Sequence, residues 1–288
     1  MPKRIINLTI SLFVGVWDWV GDQLRRLAGR TPRKKCVVLA YHSVTDAQRS
    51  QFASQMDALV RNAVPVRADI EVCPDKGERH AAVTFDDGFQ NIVDNALPEL
   101  QKRGIPSTLF VVTESLGGNR GWEHRGGDDT RQEKVMSVEQ LRQLSPELVT
   151  IGSHTMTHPL LPSLDRSQLQ QELAGSRRKL EQILNREVNL LSFPYGGFND
   201  TVVNSCREAG YARVFTALPV FAFSQPREFV TGRVGAAPTD WPIEFRLKLA
   251  GAFRWLPYAY AWKRRVLSVL RGRAVKPVQL KTGEKIIA

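Results

Sequence analysis

Two stretches of this chain carry residue types that could do chemistry together. Val83-Thr84-Phe85-Asp86-Asp87-Gly88 ends an apolar, β-prone run on two adjacent carboxylates. His154-Thr155-Met156-Thr157-His158 sets two imidazoles four residues apart, just after another such run. One carboxylate and two neutral imidazoles can hold a divalent metal, Zn²⁺ above all, with a position left open for water. The spare carboxylate can then act as a base on water that the metal activates. That is the equipment of a metal-assisted hydrolase.

Each signal also has a plainer reading. Asp-Asp-Gly is a common surface turn, and an isolated pair of histidines at this spacing often signifies nothing. Neighbours on a strand point to opposite sides, so both carboxylates share a pocket only at a strand end, where Gly88 permits a tight turn. Only five histidines occur in the chain, and two of them stand here. Pro159 and the Ser153-Thr155 surroundings predict a strand-end loop or a single helical turn around them. The same ligand set suits non-haem iron(II), but that chemistry leaves Asp86 without a task. A third stretch, Phe193-Pro194-Tyr195-Gly196-Gly197, follows a strand and could aim backbone N–H groups at a developing oxyanion. Taken alone it is only a turn.

The elements that must position these residues are legible from periodicity. Cys36 to Tyr41, Ala81 to Phe85, Thr108 to Val112, Leu148 to Gly152, Asn189 to Phe193 and Ala212 to Thr216 read as strands. Helical patterns lie between them, at Phe52 to Val60, Ile92 to Leu100, Ser137 to Leu144 (opened by a capping box with Gln140), Leu169 to Leu184 and Val202 to Ala209. Leu116 to Lys134 is glycine-rich, charged and aperiodic, a predicted loop. Strands alternating with helices predict a parallel sheet. His42, Asp86, Asp87, His154 and Pro194-Tyr195 all fall at the C-terminal ends of strands, where active sites of closed α/β barrels assemble. The expectation is therefore an α/β fold of distorted (β/α) barrel type.

Composition narrows the partners. At 288 residues, with 42% apolar residues, the chain can bury a full core. Its net charge of +11 suggests an anionic partner or simply basic surfaces and tails. The basic residues cluster at Arg25 to Lys35 and Arg254 to Lys281, and no nucleic-acid-binding module is present in the pattern, so nucleic acid is not expected. Cys36, Cys73 and Cys206 lack paired spacing and read as reduced thiols. At the N-terminus, Ile5, Leu8, Leu12, Phe13, Val16 and Val20 recur at helical spacing beside Trp17 and Trp19. The run is broken by polar residues and followed by no cleavage pattern, so a cleavable signal peptide is not expected. It reads as shorter than a spanning helix, and equally as an interfacial helix on an anionic membrane or a helix packed on the protein's own core. The predicted division is 1–35 as an amphipathic, basic segment, 36–242 as the main domain and 243–288 as a basic, aromatic helical extension. Localisation is expected to be cytoplasmic or peripheral to a membrane.

In order, VTFDDG, GSHTMTHPLL and SFPYGGFN resemble the polysaccharide deacetylases of carbohydrate esterase family 4, over roughly Cys36 to Thr216. Glu172-x-x-x-Ser176-x-x-x-Leu180-Glu181 is similar too. The resemblance implies a seven-stranded, TIM-like distorted barrel and a metal held by Asp87, His154 and His158. It implies Asp86 as general base, and a substrate-side loop of Phe193, Pro194, Tyr195 and Gly196 whose backbone holds the acetyl oxygen. The family often places an arginine just before the Pro-Tyr pair to orient the base. None stands between Asn189 and Phe193, and Arg233 is the candidate for that vacancy. The family's usual late general-acid histidine is also missing. Leu39-Ala40-Tyr41-His42 resembles the first strand of circularly permuted members, which makes His42 the implied acid. His80 and His124 are placed in connections. The implied activity is removal of N-acetyl groups from an N-acetylated glycan or glycolipid. The alternatives are hydrolysis of another non-peptide C–N bond or an O-acetyl ester, or a silent carbohydrate- or membrane-binding module.

Overall fold

The computed structural model describes residues 2–74, 77–122 and 133–270. His124, much of the predicted loop, and Arg271 and Arg273 of the basic C-terminal cluster lie outside them. In chain order the strands are β1 (Lys35–Tyr41), β2 (Val64–Pro65), β3 (Arg79–Phe85), β4 (Ser107–Val111), β5 (Val149–Ser153), β6 (Leu190–Ser192), β7 (Arg213–Phe215), β8 (Val230–Thr231) and β9 (Val234–Gly235). The helices are α1 (Pro2–Leu27), α2 (Arg49–Asn62), α3 (Leu97–Gln101, entered through a wider turn at Ile92–Ala96), α4 (Val138–Gln143), α5 (Arg166–Leu184), α6 (Asp200–Glu208), α7 (Pro242–Leu249) and α8 (Leu256–Leu270).

Every strand pairing is parallel, in the order β8-β7-β6-β5-β4-β3-β1-β9, with β2 on β3. β8 extends β7, and β9 lies on β1. Only Gly232 and Arg233 separate β8 from β9, so the extended stretch from Val230 to Gly235 links the two ends of the curled sheet. Counting that stretch once, and leaving aside the two-residue flap β2, the ring has seven strands. The sequence analysis missed β2, β8 and β9 because a two-residue strand has no period to detect.

Alternation along the strands separates two cores. Val37, Leu39 and Tyr41 of β1, and Ala81, Val83 and Phe85 of β3, cluster with Phe52, Met56 and Leu59 of α2 and with Leu100 of α3. Cys36 and Val38, Ala82, Phe110, Leu190 and Phe215 form a cluster that includes no helix residue, so they face the inside of the curl. Continuing this inward register by twos runs through Ala82 and Thr84 to Asp86, through Val38 and Ala40 to His42, and through Leu190 to Ser192. The floor is filled by Ala68, Cys73, Ala222 and Phe223, with Ala222 N–H donating to the Cys36 carbonyl at 2.9 Å.

Three details differ from expectation. His80 is not in a connection; it is buried near the start of β3, its Nδ1 3.8 Å from Cys73 Sγ. The N-terminal helix is longer than read, continuous for 26 residues through Asn7, Thr9, Ser11 and Asp18, and an 18-residue window within it reaches a mean hydropathy of 1.2. Its length and composition alone therefore suit a spanning helix. The terminal helices lie one on another, α7 on α2 and β1 and α1 on α7, so only α7 makes an extensive contact with the sheet itself. All three cysteines are buried, and none is in a disulfide.

Candidate active site

Asp86 and Asp87 follow β3 directly, and a pair of left-handed residues aims them. Asp87 has φ 71° and Gly88 φ 70°. A Cβ on Gly88 would approach Val111 Cγ1 to 3.1 Å, so glycine serves both the turn and the close packing. Left-handed φ is unusual for a residue with a side chain, yet Thr155 (70°), His158 (63°) and Tyr195 (57°) share it around the same pocket. Strain of this kind persists only where surrounding contacts fix it, and it clusters at functional sites.

Those contacts are visible. Glu172 of α5 accepts hydrogen bonds from Met156 N–H (2.8 Å), Thr157 N–H (3.0 Å) and Thr157 Oγ1 (2.6 Å), tying down the loop between the two histidines. Ser176, one turn along, meets Ser153 Oγ at 2.7 Å beneath it. His154 Nδ1 donates to the Ser192 carbonyl at 2.8 Å, which fixes the ring and leaves Nε2 as the lone-pair nitrogen. His158 is packed between Trp122, stacked at 4.8 Å, and Tyr195, edge-on at 4.5 Å.

Asp87, His154 and His158 converge. Asp87 Oδ1 lies 3.6 Å from His154 Nε2 and 3.5 Å from His158 Nε2. Ligand atoms about 2.1 Å from a tetrahedral ion stand about 3.4 Å apart, so these separations match the edges of a zinc-sized site. All three residues are buried, and Asp87 Oδ1 has no hydrogen-bond partner among the described residues. Burial and the adjacent Asp86 charge push the Asp87 carboxyl well above the usual range. Burial pulls His154 down to about 4 and His158 down to about 2, so both rings are neutral at physiological pH. A buried orphan carboxylate oxygen beside two neutral imidazoles is a donor set that a divalent cation satisfies.

Asp86 is held differently. Burial pushes its carboxyl up, but the charge and hydrogen bonds of the Arg233 guanidinium override this and hold it well below the usual range. Arg233 meets both carboxylate oxygens at 2.7 Å and also donates to Thr84 Oγ1 (3.0 Å), Ser192 Oγ (2.7 Å) and the Thr216 carbonyl (3.3 Å). The guanidinium is thus spent inside the barrel on Asp86 and its neighbours. It faces the carboxylate, the position for which it is the candidate, and so does not line the substrate opening.

His42 stands one residue past β1, exposed, and near enough to Asp86, His154 and His158 to interact with them electrostatically. Pro194, Tyr195 and Gly196 form a single tight turn after β6, with Tyr195 36% exposed at the opening. Gly196 is also required by space, since a Cβ there would come within 2.8 Å of Ala217 Cβ. The Phe193 ring corrects its placement among the substrate contacts. It is buried and stacked on Phe198 at 5.3 Å, so it anchors the turn from the core. Sequence reasoning missed Trp122, Thr84 and Ser192. Thr84 and Ser192 had a signal: each is a lone polar residue in inward register within an apolar strand. Trp122 had none, because its loop is aperiodic.

A family model described as polysaccharide deacetylase matches residues 74–214, a span that includes Asp86, Asp87, both clustered histidines and the Pro-Tyr turn but not His42 or Arg233. YxkH of Bacillus subtilis, which carries a provisional name as a polysaccharide deacetylase, is 25% identical over 71% of this chain and 72% of its own length. A poly-β-1,6-N-acetyl-D-glucosamine N-deacetylase of Staphylococcus epidermidis is 28% identical over 48% of each chain, so this chain spans about half of it. Among solved structures, IcaB from Ammonifex degensii aligns over 77% of this chain and 98% of its own, with a TM-score of 0.63 and 26% identity.

Proposed function

The chain belongs to the polysaccharide deacetylase family, and from that premise we propose that it is a metal-dependent hydrolase removing N-acetyl groups from an N-acetylated sugar in a polysaccharide or glycolipid. The observation that carries this reading is the convergence of Asp87, His154 and His158 on one buried point, with the Asp86–Arg233 pair beside it. Those three residues would hold the divalent cation, with zinc as the best match to a two-imidazole, one-carboxylate set. When bound, the cation supplies Lewis-acid polarisation of the acetyl carbonyl and makes water acidic enough to be deprotonated near neutral pH.

The chain's own residues supply the rest. Asp86 takes the proton of the attacking water as general base. Each carboxylate oxygen has two acceptor positions, so the paired contact with Arg233 leaves one per oxygen for that proton. Arg233 keeps Asp86 ionised and fixes its plane. The Tyr195 backbone N–H faces the developing oxyanion, and His42 protonates the departing amine. The products are acetate and a free amino sugar.

The test is acetate release from a panel of poly-β-1,6-N-acetylglucosamine, chitin oligomers, peptidoglycan fragments and an N-acetylated glycolipid, with O-acetyl esters as the contrast. Metal-dependent release from an N-acetyl glycan supports the reading. Release from the esters alone, or from nothing under any metal, overturns it.

A further inference from the structure

The N-terminal helix α1 is built inside out. The side that touches the protein packs Leu8 and Val14 on the main core but is otherwise made of polar and small residues, while the larger apolar side chains point away. Arg4 binds Glu244 at 2.6 Å, Ser11 accepts from Trp255 Nε1 at 2.9 Å, Asp18 takes Arg254 at 2.6 and 2.7 Å, and Asp22 takes Lys35 at 2.5 Å. Gly15 lies against Leu247 between them. Positions 4, 11, 15, 18 and 22 form one helical stripe. The only buried residue of the helix is Ser11. The opposite side presents Phe13 (73% exposed) and Trp17 (80% exposed), with Ile5, Val16 and Leu24 around them.

A helix on a water-exposed surface shows the reverse arrangement. Rotating α1 to hide its apolar side would strip Glu244, Arg254 and the buried Lys35 of their counter-charges. No described residue covers the apolar side, which therefore calls for a partner. Two observations identify its chemistry. At the C-terminal end of α1, a cavity of about 510 Å³ is lined by Arg26, Arg33, Lys35, Arg61 and Arg79 against only Asp22 and Glu78. The whole chain carries +11, so a second copy of it is repelled. An apolar ridge flanked by a basic groove matches a bilayer with anionic headgroups. The ridge continues onto α8, where Trp262 is 71% exposed and Lys3 of α1 sits over the Tyr260 ring at 5.8 Å.

The same contacts decide how the helix meets the lipid. Arg4 and Asp22 are both tied to the body, which fixes about 27 Å of α1 along it. A spanning helix would have to leave the body and break these pairs. We infer that α1 docks the protein in plane on an anionic lipid bilayer through its outward Phe13–Trp17 face, a conclusion that does not depend on the enzymatic reading.

The experiment is co-sedimentation of the full chain with phosphatidylcholine vesicles, with and without phosphatidylglycerol, at low and high salt. Phe13→Asp/Trp17→Asp serves as the variant, since both residues face outward and circular dichroism can check its fold. The expected result is binding that requires phosphatidylglycerol, is released by salt, and falls at least about tenfold in the variant. Equal binding by variant and parent overturns the proposal, as does an absence of binding to either vesicle. Resistance of the bound protein to alkaline carbonate extraction would mean a spanning helix and overturns the in-plane geometry. A lipid-free dimer abolished by the variant would assign the face to a second copy instead.

Discussion

At the mouth of the barrel, carboxylates and imidazoles are buried; along α1, tryptophan and phenylalanine stand in the open. Both regions invert the ordinary preference for apolar groups inside and charged groups outside. They differ in where the compensation comes from. At the mouth most of it is internal: Arg233 answers Asp86, the Ser192 carbonyl answers His154, and Glu172 answers the strained loop. Among the described residues Asp87 Oδ1 and His158 Nδ1 are left without a partner, and the first, facing both Nε2 atoms, is a deficit that a single ion meets. Along α1 the charged residues of the inner side are answered by the body and Leu8 and Val14 pack on the core, but no described residue covers the outward Phe13–Trp17 face. A gap of one atom points to a cofactor, whereas a gap of a whole helix face points to a surface.

The sharpest way to break this comparison is to remove a residue from the deficit itself. His154→Ala or Asp87→Ala should abolish stoichiometric metal and lower acetate release on the order of 10⁴-fold or more. Metal content by mass spectrometry and turnover on one sample check both. Full metal content in either variant would show that the ion sits elsewhere.

Arg233 tests the internal compensation. Arg233→Lys keeps the charge but not the two-point contact, and should lower turnover about 10–100-fold with metal retained. Arg233→Ala should also cost about 3–5 kcal/mol of stability, because it leaves Asp86 buried and unpaired. The sign with pH follows from Asp86 lying below its ordinary value of about 3.9. The pair's contribution is present above that pH and is lost as pH falls below it, so urea midpoints of parent and Arg233→Ala should converge in acid.

A milder loss is expected at the exposed histidine. His42→Ala should lower turnover about 10²-fold while metal content stays unchanged, and should remove the alkaline limb of the pH–rate profile. An unchanged profile would return the role of acid to another group. The smallest effect is on protons. Bound metal requires Asp87 ionised and both imidazoles neutral, so protons compete with it and affinity falls as pH falls. With His154 drawn down to about 4 and His158 to about 2, the histidines are already deprotonated above about pH 5. With both imidazoles neutral, any proton released on zinc binding should come from the Asp87 carboxyl, which burial and the Asp86 charge push above its ordinary range. Calorimetry in buffers of different ionisation enthalpy measures it, and the release should grow as the pH is lowered.

The barrel was readable in advance because its strands are apolar runs that end on polar residues, from Cys36–Tyr41 before His42 to Ala81–Phe85 before Asp86. The same inward alternation that packs Ala82 delivers Thr84 and Asp86, so fold and site share one pattern. The short strands β2, β8 and β9 exist only through pairing with neighbours distant in the chain, and local sequence holds no record of that. Arg233 was nameable as the filler of a vacancy, but its four-way grip on Thr84, Asp86, Ser192 and Thr216 depends on the link between β8 and β9. The site reading leaned on motif resemblance for roles that spacing alone left open. At α1 the pattern of apolar residues was plain, yet which side faced the protein was not. That is decided by Glu244, Lys35 and Arg254, partners that lie far from it in sequence.

The account's central claim is that Asp86 does chemistry beside an ion it does not hold. The direct measurement is metal content and acetate release on the same preparation of Asp86→Asn, zinc-loaded and compared with the parent. The account predicts one equivalent of zinc retained and turnover lower by about 10²–10⁴-fold. Near-parent turnover would contradict it, and loss of the zinc together with the activity would make Asp86 a ligand and not the base.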